Sequence, residues 1–227
     1  MKKSVAVIGL GRFGASIATS LPRETCSVIA VDVKEERVRS VADHVAHAVV
    51  MDAMDEKALR DAGINSVDVA VVSIGENIEA STLVVMLLKE LGVKEIIAKA
   101  VTELHGKVLA LLGVNRVVHP ERDMAQRVAG SIMQPGLLES IELSRHFSIV
   151  ELSAPDFIWG KELKETNLRA LYGLNIIAIK RTHGTGAHAR EDLMINPEPT
   201  QRIEKGDLLT VLGKNDNIEK MLKKFAK

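Results

Sequence analysis

The hydrophobic pattern of this chain of 227 residues follows two grammars. Over residues 1–120, short runs rich in Val, Ile and Ala alternate with amphipathic segments. SVAVIGL, SVIAVDV, HAVVMD, VDVAVVSI, EIIAKAV and RVVHP read as strands. RFGASIATSL, KEERVRSVADHV, DEKALRDAG (closed by Gly63), NIEASTLVVMLLKELG and HGKVLALLG read as the helices between them. Near-continuous apolar strands spaced by helices predict a parallel sheet covered on both faces. Right-handed crossovers then make it a Rossmann-like doubly wound α/β sheet.

From Glu121 the pattern changes. ERDMAQRVAGSIM predicts an amphipathic helix with Met124, Val128, Ile132 and Met133 on one stripe, and Gln134-Pro135-Gly136 breaks it. We read 121–143 as connecting helices and 144–227 as a small α+β lobe. In that lobe HFSIVEL, NIIAIKRT and LLTVLG are expected strands, and KELKETNLRALYG and NIEKMLKKFAK expected helices. HGTGAHA is an expected loop or hairpin, and MINPEPTQRIEKGD is turn-rich.

Candidate chemistry gathers at the first strand–helix junction. Gly9-Leu10-Gly11-Arg12-Phe13-Gly14 is a G-x-G-x-x-G motif between a strand and a helix. In such a motif Gly9 permits the tight turn, Gly11 lets backbone approach a pyrophosphate and Gly14 allows close helix–strand packing. The helix N-terminus offers N–H groups and partial positive charge to phosphates. Asp32 ends the second strand, in the place where an acidic residue accepts the hydroxyls of an adenosine ribose. Asp52 and Ala53 follow the third strand, with Asp52 read either as an adenine-edge residue or as a helix N-cap. Ser73, Gly75, Glu76 and Asn77 follow the fourth, and Lys99 ends the fifth. Arg12, inside the glycine loop, is suited to bidentate phosphate contacts.

Composition narrows the field. Lys plus Arg equals Asp plus Glu, 30 each, so no global charge points to nucleic acid, and 3% aromatic residues argue against base-stacking platforms. Cys26, alone and in an apolar context, is read as a buried structural thiol, and no cysteine-rich metal site exists. No apolar run reaches the roughly 20 residues of a spanning helix, and no signal peptide is evident at the start. The chain is therefore expected to be cytoplasmic and to meet a membrane through a partner. His183 and His188 flank a GTGA stretch read as a solvated loop, since no further ligand with metal spacing completes the set. A general acid or base beside a nicotinamide is not evident, so a small NAD-dependent oxidoreductase is kept as the alternative to a non-enzymatic nucleotide sensor.

VAVIGLGRFGASIA, VDVKEERV, SIGENIEASTLVVMLLKELGV, IIAKA, KVLALLGVNRVVHPERDMAQRVA and NLRALYGLNIIAIKR together resemble the cytosolic gating subunits of bacterial Ktr/Trk potassium uptake systems. These carry an RCK (regulator of potassium conductance) nucleotide-binding domain followed by a C-terminal lobe. The resemblance spans the chain. It implies a homo-oligomer, up to an octameric ring, that binds ATP, ADP or NAD(H) and gates a membrane potassium channel. It implies that Gly9, Gly11, Arg12, Phe13 and Gly14 cradle phosphates and Asp32 holds the ribose. Asp52 and Ala53 would border adenine, and Ile74, Gly75 and Glu76 would line the cleft. Lys99 and Glu121 would lie near the phosphates, with Glu121 toward a Mg2+ or Ca2+ ion on the γ-phosphate or, alternatively, a plain first-turn carboxylate. Some members also bind cyclic di-AMP in the C-terminal lobe. Asn167, Arg169, Tyr172, Ile176 and Ile177 match that pattern, while the loops after Arg181 depart from it. Arg169 also fits a solvated helix face.

Overall fold

Strand positions in the first half of the chain are buried with no polar alternation: VAVI at 5–8 and VAVV at 69–72 are buried at every residue. A computed structural model describes residues 2–133, 137–184 and 190–223. It divides the chain into two units, Met1–Arg122 and Asp123–Lys227.

In the first unit β1 (Lys3–Ile8), β2 (Cys26–Asp32), β3 (His47–Val50), β4 (Val69–Val72), β5 (Glu95–Lys99) and β6 (Arg116–Val118) form one sheet. Its order is β3-β2-β1-β4-β5-β6, every pair parallel. The two-residue period of a strand sorts its side chains between two cores. Val5 and Val7 join Val28, Ala30, Val69 and Val71 against α1 (Arg12–Ser20) and α2 (Glu35–Val41). Ala6 and Ile8 join Val31, Ala70, Val72, Ile96 and Ala98 against α3 (Glu56–Asp61), α4 (Ile78–Glu90) and α5 (Glu103–Leu111). Each fully buried Val, Leu or Ile contributes about 1.5–3 kcal/mol. The strand order reverses between β1 and β4, which opens a crevice above the carboxyl ends of the strands.

Helix starts in this unit differ in one respect. Asp55 caps α3 by accepting from the amides of Lys57 and Ala58, Asn77 caps α4 at Ala80, and Thr102 caps α5 at His105. The N-caps of α1 and α2 are Gly11 and Lys34, and among the described residues no side chain caps either helix. Gly63 is left-handed at φ +76°, as a glycine closing the DEKALRDAG helix should be.

A further helix, α6 (Pro120–Met133), begins in the first unit. In the second unit β7 (Leu137–Ser144), β8 (Phe147–Ser153), β9 (Asn175–His183), β10 (Arg190–Ile195) and β11 (Leu208–Lys214) form an antiparallel sheet of order β10-β9-β11-β8-β7. Its core of Val150, Leu152, Ile158, Leu174, Ile179, Ile203, Leu209 and Val211 is closed by α7 (Leu168–Tyr172) and α8 (Asn215–Leu222).

Three expectations change. Residues 137–143 are strand, not connecting helix, because β7 pairs with β8 from Leu137↔Leu152 to Ser144↔Phe147. KELKETNLRALYG is not one helix. A 3-10 turn, Leu163–Thr166, and α7 are separated by Asn167, which sits at φ +51° and breaks the hydrogen-bond ladder. The turn-rich stretch yields strand up to Ile195. Gln134-Pro135-Gly136, His188 with the centre of the HGTGAHA loop, and the last residues of the terminal helix lie outside the described residues. So does the side chain of Met133.

Candidate nucleotide site

The crevice is a cavity of about 640 Å³, bounded by the carboxyl ends of β1 to β5 and the starts of α1, α2 and α6. That volume lies within the range of small-molecule and cofactor sites.

The three motif glycines have three different environments. Gly9 has φ +90°, which favours glycine, and a Cβ there would come 3.0 Å from the Ser73 carbonyl carbon. Gly14 is buried beneath the loop, and a Cβ on it would overlap the carbonyl oxygen of Gly9. Gly11 has φ −64°, open to any residue, and a Cβ there would meet no protein atom within 4 Å. Gly9 and Gly14 are required by the chain's own packing. Gly11 is not, and it faces the crevice.

Asp32 is 5% exposed and is held by backbone: Oδ2 accepts from the Leu10 amide at 2.7 Å and Oδ1 from the Lys34 amide at 2.9 Å. Arg37 Nη1 stands 3.5 Å from Oδ2, and its Nη2 donates to Glu76 Oε1 at 2.8 Å. That bond holds the Glu76 carboxyl below the usual carboxylate range and raises the Arg37 guanidinium. At the other end Lys99 Nζ, 5.9 Å from the centroid of the Phe13 ring, donates to Glu121 Oε1 at 2.5 Å. Lys99 is the main reason the Glu121 carboxyl is depressed, with a smaller contribution from Arg12. Arg12, Lys99 and Glu121 therefore share one electrostatic neighbourhood. Among the described residues no group of three His, Cys, Asp or Glu side chains could hold a metal ion, so a cation here would find the Glu121 carboxylate and take its other ligands from phosphate oxygens and water.

Residues 5–120 match the TrkA-N domain model and residues 148–226 the TrkA-C domain model. The chain belongs to the Ktr/Trk potassium uptake family. Ktr system potassium uptake protein C of Bacillus subtilis (strain 168) is 42% identical over 224 residues, covering 99% of this chain and 98% of that protein. Ktr system potassium uptake protein A of the same organism is 41% identical over 218 residues, covering 96% and 95%. The GsuK RCK domain shares the fold at TM-score 0.51 and 23% identity, covering 99% of this chain and 46% of that one. The TrkA-N domain of the inner membrane protein ybaL from Escherichia coli does so at TM-score 0.51 and 21% identity, covering 57% and 95%. The chain thus spans nearly the full length of its Bacillus relatives and about half of the GsuK chain.

In this Ktr/Trk family member the crevice brings together Gly9, Gly11, Arg12, Phe13, Asp32, Asp52, Ala53, Ile74, Gly75, Glu76, Lys99 and Glu121. Gly14 lies behind the wall rather than on it. Asp52 is not a helix cap: it accepts from the Met54 amide at 2.9 Å, and Asp55 caps α3. Asn77 is a cap. Sequence reasoning missed Arg37, whose one clue was a cation in the first turn of a helix, where acidic residues are favoured. Ser73 lines the crevice with its Oγ buried and, among the described residues, without a hydrogen-bond partner.

In the second unit Asn167 and Arg169 are exposed, Tyr172 and Ile176 pack partly buried against the core, and Ile177 is half-buried. Packing accounts for Tyr172 and Ile176. Helix α4 buries Ala80, Ser81, Val84, Val85 and Leu88 within its own unit and leaves Ile78, Leu83 and Met86 exposed, and Met124, Val128 and Ile132 of α6 are exposed as well. Among the described residues no helix is long and apolar enough to cross a membrane.

Proposed function

We propose that this chain is a cytosolic nucleotide-sensing subunit that gates a bacterial potassium uptake channel or transporter, switching between ATP- and ADP-bound states, with NAD(H) as a further ligand of the same crevice. It acts without bond chemistry, as a homo-oligomer up to an octameric ring, on the inner face of the membrane through its partner. The observation that carries the ligand reading is Gly11. Its backbone is ordinary and its Cβ would meet nothing, so the missing side chain serves something outside the polypeptide, at the uncapped N-terminus of α1. Membership in the Ktr/Trk family supports the potassium reading, and a GsuK channel bound to NAD is one member of the fold with a nucleotide ligand.

The switch works through the Lys99–Glu121 end. A γ-phosphate adds negative charge that draws in Arg12 and competes with Glu121 for Lys99, and a cation on the phosphates draws in the Glu121 carboxylate. Glu121 lies in the first turn of α6, so the competition acts on the start of that helix. A ligand shifts a two-state assembly by its differential affinity for the states, and about 1.4 kcal/mol per site is tenfold.

The test is potassium flux into vesicles carrying the membrane partner and this chain. Flux should differ between ATP and ADP, and the difference should shrink in Arg12→Ala while ADP binding stays near that of the parent chain. Equal loss of ATP and ADP binding in Arg12→Ala would remove the γ-phosphate role. Steady oxidation or reduction of a metabolite with NAD(H) would favour the oxidoreductase reading instead.

A further inference from the structure

At the β2 end of the crevice a cation is already engaged. Arg37 on α2 reaches Asp32 at 3.5 Å and Glu76 at 2.8 Å. Glu76 belongs to the segment between β4 and α4, and β4 lies on the far side of β1 from β2, so the guanidinium ties the two walls of the crevice. Three carboxylates, Asp32, Asp52 and Glu76, face this end with two cations, Lys34 and Arg37. The Asp32 oxygens already accept two backbone amides, yet retain lone pairs for neutral hydroxyl donors. A ribose with free hydroxyls suits such a site. A phosphate on the ribose brings about −1.5 to −2 charges, has no proton to give Asp32, and needs a guanidinium whose charge is not already balanced by carboxylates.

We infer that Glu76 is a specificity-determining residue: by occupying Arg37 it denies this end of the crevice an anion site, so the crevice takes adenine nucleotides with a free ribose 2′-hydroxyl and rejects their 2′-phosphorylated counterparts. The inference rests on the reading of the crevice as an adenine-nucleotide site with the ribose at Asp32. The Glu76 side chain is 75% exposed, so its replacement does not disturb the core. Without it, the Nη2 group of Arg37 is released toward the crevice and the local balance shifts by one positive charge.

The experiment is calorimetric titration of the full chain with two pairs of probes, AMP against 2′,5′-ADP and NADH against NADPH, in the parent chain, Glu76→Ala and Arg37→Ala/Glu76→Ala. The readout is the ratio of dissociation constants within each pair, which a purely structural role would leave unchanged. The parent chain should prefer the unphosphorylated member. The ratio should fall on the order of tenfold in Glu76→Ala and return in the double variant. A parent chain indifferent to the 2′-phosphate, or a Glu76→Ala ratio equal to the parent's, overturns the inference and leaves the nucleotide site standing. A parent chain that takes up none of the four probes, nor ADP or ATP, overturns the nucleotide reading and the inference together.

Discussion

Two buried aspartates, one in each unit, show how the sheets differ. Asp207, beside the antiparallel sheet, is 1% exposed and fully engaged: Arg181 grips both its oxygens at 2.8 Å, and the Glu204 amide donates to it at 2.8 Å. Asp32, at the edge of the parallel sheet, is 5% exposed, and its nearest cation stands 3.5 Å away, shared with Glu76. Parallel strands end on one side, so Asp32, Ser73 and Lys99 gather at a common edge. Antiparallel strands send successive ends to opposite sides, and the buried charge there is consumed by structure. The same residue type is thus a staple in one unit and part of the wall of an open crevice in the other.

The comparison is broken hardest at Arg181. Arg181→Ala leaves Asp207 buried without its cation, a loss of about 3–5 kcal/mol. Trp159, the single tryptophan, lies in the second unit and reports it by fluorescence during denaturation. A midpoint unchanged from the parent chain would show that Asp207 is not held as the geometry implies.

Gly14→Ala should come next. Its Cβ would overlap backbone, which cannot swing aside as a side chain does, so the first unit should lose about 1–3 kcal/mol or more. In the second unit Gly213→Ala meets a methyl of the buried Leu174, a side chain rather than backbone, and should lose less. Hydrogen exchange at Val5–Ile8 and at Leu208–Lys214 separates the two effects, and equal losses would remove the distinction.

How much of this was legible beforehand follows the same division. The parallel strands announced themselves because both faces are buried, and the glycine motif did because its flanks set its context. The strands that the pattern hid, β7 and β10, are the two edges of the antiparallel sheet. Leu138, Ile141 and Leu143 of β7 and Leu193 and Ile195 of β10 are exposed, so neither strand carries a clean inward–outward alternation. Asn167 broke an apparently helical pattern through one backbone angle that no periodicity records. At the crevice, the residues on the glycine loop and strand ends were readable from motif and position. Arg37 was not, because its role arises from a partner 39 residues away.

A smaller effect concerns pH. His105 is 2% exposed, and its ring, beside His119, is held below the ordinary imidazole range chiefly by burial. The unfolded chain therefore takes up the proton first. Stability from this group is present above its unfolded value and is lost as pH falls from about 6.5 toward the lower folded value. His105→Leu should flatten that part of the stability–pH curve in the first unit, whatever it does at pH 8. An unchanged slope would mean that His105 does not titrate on unfolding.

The central claim is that the crevice is shaped for an adenine nucleotide, and Gly11 isolates it. A methyl group there touches no protein atom and needs no unusual backbone, so Gly11→Ala should melt with the parent chain. Calorimetric titration of ADP into both proteins is the direct measurement. The parent chain should bind, and Gly11→Ala should bind at least about tenfold more weakly at equal thermal stability. A Gly11→Ala chain that takes up ADP as the parent does would contradict the account.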